Sequence, residues 1–150
     1  MKLAEALLLR RDLNNRLFQL RNEISSSVLV QEGDTLDRSI TELFKEYDEI
    51  NQQYSELVVA INRKNATASL ADSALLLMEA LEHREQLRRK HALLTQALDE
   101  TKAAPRMGRN EIRLVRTIDT KTLTEQLNAT AKQLRELDGK IQQTNWLVDL

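Results

Sequence analysis

Apolar residues recur along this chain at alternating steps of three and four, the spacing that lines up side chains on one face of an α-helix. Positions 3, 6, 10, 13, 17, 20 and 24 are Leu, Ala, Arg, Leu, Leu, Leu and Ile. They predict a first helix over about Lys2 to Ser26, ended by Ser25, Ser26 and Ser27. Positions 40, 43, 47, 50, 54, 57 and 61 are Ile, Leu, Tyr, Ile, Tyr, Leu and Ile. This unbroken seam predicts a second helix over about Asp37 to Lys64, with Phe44 and Val58 beside it. A third helix is expected from about Asp72, whose carboxylate can cap free N–H groups, to about Lys102. Its stripe is apolar at Leu77 and Leu81 and again at Leu94 and Leu98, but polar between, at Arg84, Arg88 and His91. A fourth runs from Asp119 to about Asn145 on Leu123, Leu127, Thr130, Leu134, Leu137, Ile141 and Thr144. Thr122 and Glu125 offer it a capping box.

Two short stretches break the helical pattern. Val28-Leu29-Val30-Gln31 is β-branched and is followed by the turn-forming Glu32-Gly33-Asp34. Residues 112–118, Ile-Arg-Leu-Val-Arg-Thr-Ile, alternate in the manner of a strand. The two together predict a small two-stranded β-ribbon, within one chain or between chains. The loop from Ala103 to Asn110 holds the single Pro of the chain. The expected fold is therefore mainly α: an elongated antiparallel four-helix bundle in a single domain over residues 1–150, with a minor ribbon.

Composition narrows the function. With 22 Lys+Arg against 23 Asp+Glu the net charge is −1, which argues against a nucleic-acid binder. The absence of Cys removes disulfides, thiolate chemistry and Cys-bearing metal centres. The N-terminal segment carries Glu5 inside its apolar stretch, unlike a secretory signal. The longest apolar run elsewhere, Ala74 to Met78, is far below the roughly 20 residues of a membrane span. A cytoplasmic location is the expectation, and membrane partners are not.

Helices of about 25–30 residues exceed the average of about 11–12 in globular proteins. Long rods with strict apolar seams expose much surface for their thickness, so a homo-oligomer is expected, with a monomeric bundle as the alternative.

Catalytic patterns are missing. A di-metal bundle needs Glu-x-x-His pairs, and the residues three before His83 and His91 are Ala80 and Arg88. Gly33, Gly108 and Gly139 are isolated and form no phosphate loop. The serines at 25–27 lack a nucleophile elbow. Carboxylates such as Glu46, Asp48 and Glu49 read as a solvated helix face. No enzyme, metal or cofactor is expected.

Two polar groupings stand out. Arg10 on the first stripe and Arg84, Arg88 and His91 on the third place several cations where apolar residues belong. Desolvated charges need partners; Asp12, Glu85 and the Asn62 to Asn65 pair are candidates. The grouping of Arg10, Asn62, Arg84, Arg88 and His91 reads either as a structural polar network or as a pocket for a small anion between the first and third helices. The second grouping is a basic arm of Arg106, Arg109, Arg113 and Arg116, suited to an anionic ligand or to acids of a neighbouring subunit. It lacks the interleaved aromatics of a single-strand binder.

Several segments together resemble the septicolysin-like family of small bacterial helical proteins: Leu7 to Arg10, Leu29-Val30-Gln31-Glu32-Gly33, Ile61-Asn62 with Asn65, Glu111-Ile112 through Asp119, and Leu137-Asp138 through Asn145-Trp146. The resemblance implies an oligomeric helical protein, and the family name implies a membrane-active, pore-forming alternative. It supplies no catalytic residues. The combined expectation is a non-enzymatic scaffold or binding protein that assembles with itself.

Overall fold

The first three helices share a start signal that the stripes alone do not reveal. A glutamate at the third helical position turns back to the backbone N–H that precedes the helix. Glu5 Oε2 accepts from Lys2 N at 2.6 Å, Glu42 Oε2 from Ser39 N at 3.0 Å, and Glu79 Oε2 from Leu76 N at 2.8 Å. Each carboxylate satisfies an orphan donor and sits at the positive end of the helix dipole. At Ser39 the box is reciprocal, since Glu42 N donates to Ser39 Oγ at 3.2 Å.

In this computed structural model, which describes residues 1–102, 112 and 114–150, these starts open α1 (Leu3–Ser27), α2 (Ile40–Asn65) and α3 (Leu77–Glu100). The fourth helix, α4 (Thr120–Leu147), begins beside Asp119, whose Oδ1 accepts from Lys121 N at 3.3 Å. The helix thus starts ahead of Thr122, at the aspartate.

The chain divides into two compact units. The first comprises Met1–Ala68 and Thr144–Leu150. Here α1 and α2 pair along the expected seams. Leu3, Ala6, Leu13 and Leu20 on α1 and Leu43, Leu57 and Ile61 on α2 are buried, and the remaining seam positions are half-buried. The two chain ends are clasped together. Leu3 N donates to Val148 O at 2.9 Å and Leu150 N to Met1 O at 3.0 Å. Lys2 Nζ donates to Leu147 O and to Asp149 Oδ2, each at 3.0 Å. The Lys2 ammonium holds the Asp149 carboxyl below its ordinary range.

The second unit is Ser69–Gln143. Its buried residues on α3 are Leu77, Ala80, Leu87 and Leu94, and on α4 Leu123, Thr130 and Ile141. Thr130 sits in this core at little cost because its hydroxyl donates to Gln126 O at 2.8 Å, one turn back. A tight loop leads into α3: Leu70 N donates to Leu75 O at 2.8 Å and Ser73 N to Leu70 O at 3.1 Å. Asp72 lies inside this loop at φ 56°. It is therefore a left-handed turn residue and not the cap of the third helix, which starts five residues later.

The expected β-ribbon is not seen among the described residues. Among the described residues there is no sheet, only single bridges joining Lys2 with Asp149 and Ser69 with Leu76. Residues 28–31 bend away from the end of α1, and Leu29 is 88% exposed. In 112–118 the described residues form no strand, and Ile112 is 95% exposed. A two-stranded ribbon must lean on a core to persist, and neither segment has one. β-Branching favours extended backbone but supplies no partner for its hydrogen bonds.

Candidate functional site

The polar interruption of α3 is resolved by its true register. The buried residues Leu77, Ala80, Leu87 and Leu94 continue the three-and-four stepping through Arg84 and His91. These two are therefore on the seam and half-buried, while Arg88 is turned outward. Arg84 is held by acids on both sides. Its Nε donates to Glu85 Oε1 at 3.2 Å, and its Nη1 lies 3.6 Å from Asp138 Oδ1 on α4. Arg88 Nη1 donates to the same Glu85 oxygen at 2.8 Å. Glu85 was legible as a partner from the sequence. Asp138 was not, because it lies more than fifty residues away. With two carboxylates in place, the Arg84 charge is met without a bound anion.

Arg10 and Asn62 belong to the first unit; Arg10 is half-buried and Asn62 exposed. Asp12 lies 3.5 Å from Arg11 Nε. Of the basic arm, Arg106, Arg109 and Arg113 lie outside the described residues. Arg116 donates through Nε to Thr101 O at 2.9 Å. That carbonyl is at the negative end of α3, where a cation is favoured.

In the first unit a charge network missed by the sequence reading fixes how α1 and α2 lie. Glu46 on α2 accepts from Arg16 on α1, through Nε at 2.8 Å and through Nη2, and from Arg38 Nη2 ahead of α2. Arg38 Nη1 also lies 3.6 Å from Glu23 Oε2. The two guanidiniums, Arg16 foremost, hold the Glu46 carboxyl below its ordinary range. The Glu46 hydrogen bond in turn raises Arg38.

These pairs bring Arg16 near Glu46, and Arg38 and Glu23 near each other, as in an antiparallel helix pair. Phe18 lies two residues further along α1 than Arg16, and Phe44 two residues earlier on α2 than Glu46. Two helical positions correspond to about 200° of rotation. Both rings therefore point to the flank opposite Arg16 and Glu46. Phe18 is 62% exposed and Phe44 50%. Phe44, Asn51 and Val58 follow at seven-residue steps on the same side of α2. The link after α1 adds exposed Val28, Leu29, Val30 and Leu36. Scattered apolar residues on a surface are ordinary; here two phenylalanines of one helical pair are both exposed.

A model of a family described as "Family of unknown function (DUF6847)" matches residues 10–150. The chain belongs to this family. A solved structure described as a functionally unknown conserved protein from Corynebacterium diphtheriae is 32% identical. The match covers 100% of this chain and 98% of that one, with a TM-score of 0.91. No curated protein matches. The resemblance to the septicolysin-like family is thereby overturned. The segments that suggested it, from Arg10 and the Gln31-Glu32-Gly33 turn to Asn145-Trp146, fall within a family of different description. Leucine stripes and short turn motifs recur among unrelated helical proteins and do not define one. Among the described residues no helix is long and apolar enough to cross a membrane.

Proposed function

We propose that this DUF6847 protein is a non-catalytic helical scaffold that works as a homo-oligomer, with the Phe18 and Phe44 flank of the α1–α2 pair as the contact between copies. What supports this reading is the exposure of Phe18 and Phe44, which helix geometry puts on the flank away from the Glu46 network. A pair of helices shelters one seam. A second apolar flank towards the linked ends of the pair needs another pair, and a second copy supplies an identical one. Two-fold pairing lets Phe18 of one copy meet Phe44 of the other, the self-complementary arrangement of an isologous dimer.

Magnitudes support a contact centred on these rings. A phenylalanine exposes about 200 Å² when free. At the observed exposures the two rings offer about 220 Å² per copy, roughly a quarter of the ~800 Å² each partner contributes to a stable interface. Central aromatic anchors of this share, ringed by polar residues, are what concentrate binding energy. The net charge of −1 puts little repulsion between copies.

Light scattering during size exclusion tests the reading. The chain is expected to elute at a multiple of its 17.3 kDa mass, and the Phe18→Ser/Phe44→Ser variant at the single-chain mass with unchanged helix content. A wild-type chain that stays at 17.3 kDa, or a variant that assembles as well as wild type, would reject it.

A further inference from the structure

The two halves of the chain repeat one design. A shift of 74 residues carries α1 onto α3. Buried Leu3, Ala6, Leu13 and Leu20 fall on buried Leu77, Ala80, Leu87 and Leu94. Arg10 falls on Arg84, so the two cations that interrupt the apolar stripes hold one position, half-buried in both helices. Glu5 falls on Glu79, and each carboxylate accepts from the backbone N–H that precedes its helix. A shift of 80 residues carries α2 onto α4. The helix starts coincide, Ile40 with Thr120. Leu43 and Ile61 fall on Leu123 and Ile141, all four buried, and Asn65 falls on Asn145. Apolar stripes alone make any two amphipathic helices alike. They do not set an arginine, a capping glutamate and the helix starts in one register.

The joints between helices repeat as well. After α2, Leu70 N donates to Leu75 O at 2.8 Å, and Ser69 is bridged to Leu76. After α4, Leu150 N donates to Met1 O at 3.0 Å, and Asp149 is bridged to Lys2. The same two shifts relate these residues: Leu70 to Leu150 and Ser69 to Asp149 by the second, Met1 to Leu75 and Lys2 to Leu76 by the first. The first joint is closed by Ala71-Asp72-Ser73-Ala74, and the second is open between Leu150 and Met1.

We infer that the chain is a tandem duplication of one helical hairpin, and that the clasp of its ends is the same joint as the Leu70–Leu75 loop. The inequality of the two shifts, which hides the repeat from a search at one fixed period, is a longer link between α3 and α4 than between α1 and α2. Positions common to both halves specify the hairpin. Positions that differ carry what is particular to each half. Arg16 and Glu46 of the charge network fall on Lys90 and Gln126, and exposed Phe18 and Phe44 fall on Ala92 and Thr124. Asp138, which meets Arg84, has Val58 as its counterpart.

A circular permutant of the full chain tests the joint. Ala-Asp-Ser-Ala is inserted between Leu150 and Met1, and the chain is opened between Asp72 and Ser73, in an exposed loop. The permutant is expected to keep the wild-type helix content and a urea midpoint within about 10% of wild type. Valine in place of the inserted aspartate is expected to lower that midpoint as Asp72→Val does in the original chain, because the insert takes over the left-handed turn. A second variant reads the helix correspondence with the connectivity intact. Val58→Asp sets a carboxylate at the counterpart of Asp138, and its loss of urea midpoint is expected to be about half as large beside Arg10 as in an Arg10→Met background. The inference is overturned by a permutant without helix content, by an inserted valine that has no effect, or by equal losses from Val58→Asp with and without Arg10.

Discussion

Replacing Glu46 by Gln removes the charge that holds two arginines while keeping the shape of the side chain. The Glu46 side chain is 28% exposed, and those of Arg16 and Arg38 are 38% and 36% exposed, so water screens part of each attraction. An exposed ion pair contributes about 0.2–1 kcal/mol, and a hydrogen bond to a charged group about 1.5–3 kcal/mol where it is better sheltered. For one carboxylate shared by two half-sheltered guanidiniums, a loss of about 1–2 kcal/mol is expected at neutral pH. The pH dependence gives the sharper check. The folded state depresses the Glu46 pKa below its ordinary 4.5. The stabilisation is therefore complete above that ordinary value and disappears as pH falls through the lower, folded one. Urea unfolding of wild type and Glu46→Gln across this acid range should show a gap that is constant above pH 4.5 and closes below it. A gap that persists undiminished in acid would mean the variant disturbs packing, and the electrostatic account of the α1–α2 register would be wrong.

Other expectations are independent of that network. Leu20 is 0% exposed and Leu29 88%, so Leu20→Ala should cost about 3 kcal/mol and Leu29→Ala less than about 0.5 kcal/mol in the same denaturation assay. Asp72 at φ 56° tolerates Gly; Asp72→Val, β-branched in the left-handed region, should lower stability by about 1–2 kcal/mol, and equal stability of the two variants would refute the turn assignment. Ending the chain after Leu147 removes the acceptor of the Leu3 amide. Hydrogen exchange at Leu3 should then accelerate sharply, while that of Leu20 changes little.

The helices were legible because their information is local. A three-and-four stripe specifies one buried face wherever the partner comes from, and the stripes at Leu3 to Ile24 and Leu123 to Thr144 are nowhere exposed. The start of α3 was not legible. Asp72 looks like a cap in isolation, and only the closure of the Leu70–Leu75 loop shows it turning left-handed, with Glu79 taking the capping role from inside the helix. The ribbon misled because β-branching in Val28 to Val30 reports a local preference, whereas a strand needs a partner that local sequence cannot certify. Arg84 stands out in the sequence as a cation on an apolar stripe, and Glu85, next to it, was within reach of sequence reasoning. Asp138 and the Arg16–Glu46–Arg38 network depend on which helices lie side by side. The same holds for Phe18 and Phe44: Phe44 was visible beside the second seam, but which flank the two rings share depends on how the helices pair.

Because the chain contains no Cys, a single one can be introduced at exposed Asn51, seven residues beyond Phe44 on the proposed contact, and spin-labelled. Dipolar spectroscopy of that singly labelled protein reads contact between copies alone. If the flank joins copies, a defined distance within the range of the method appears, and it vanishes when Phe18→Ser/Phe44→Ser is added. A featureless background decay from the labelled wild-type chain at micromolar concentration would contradict assembly through this face.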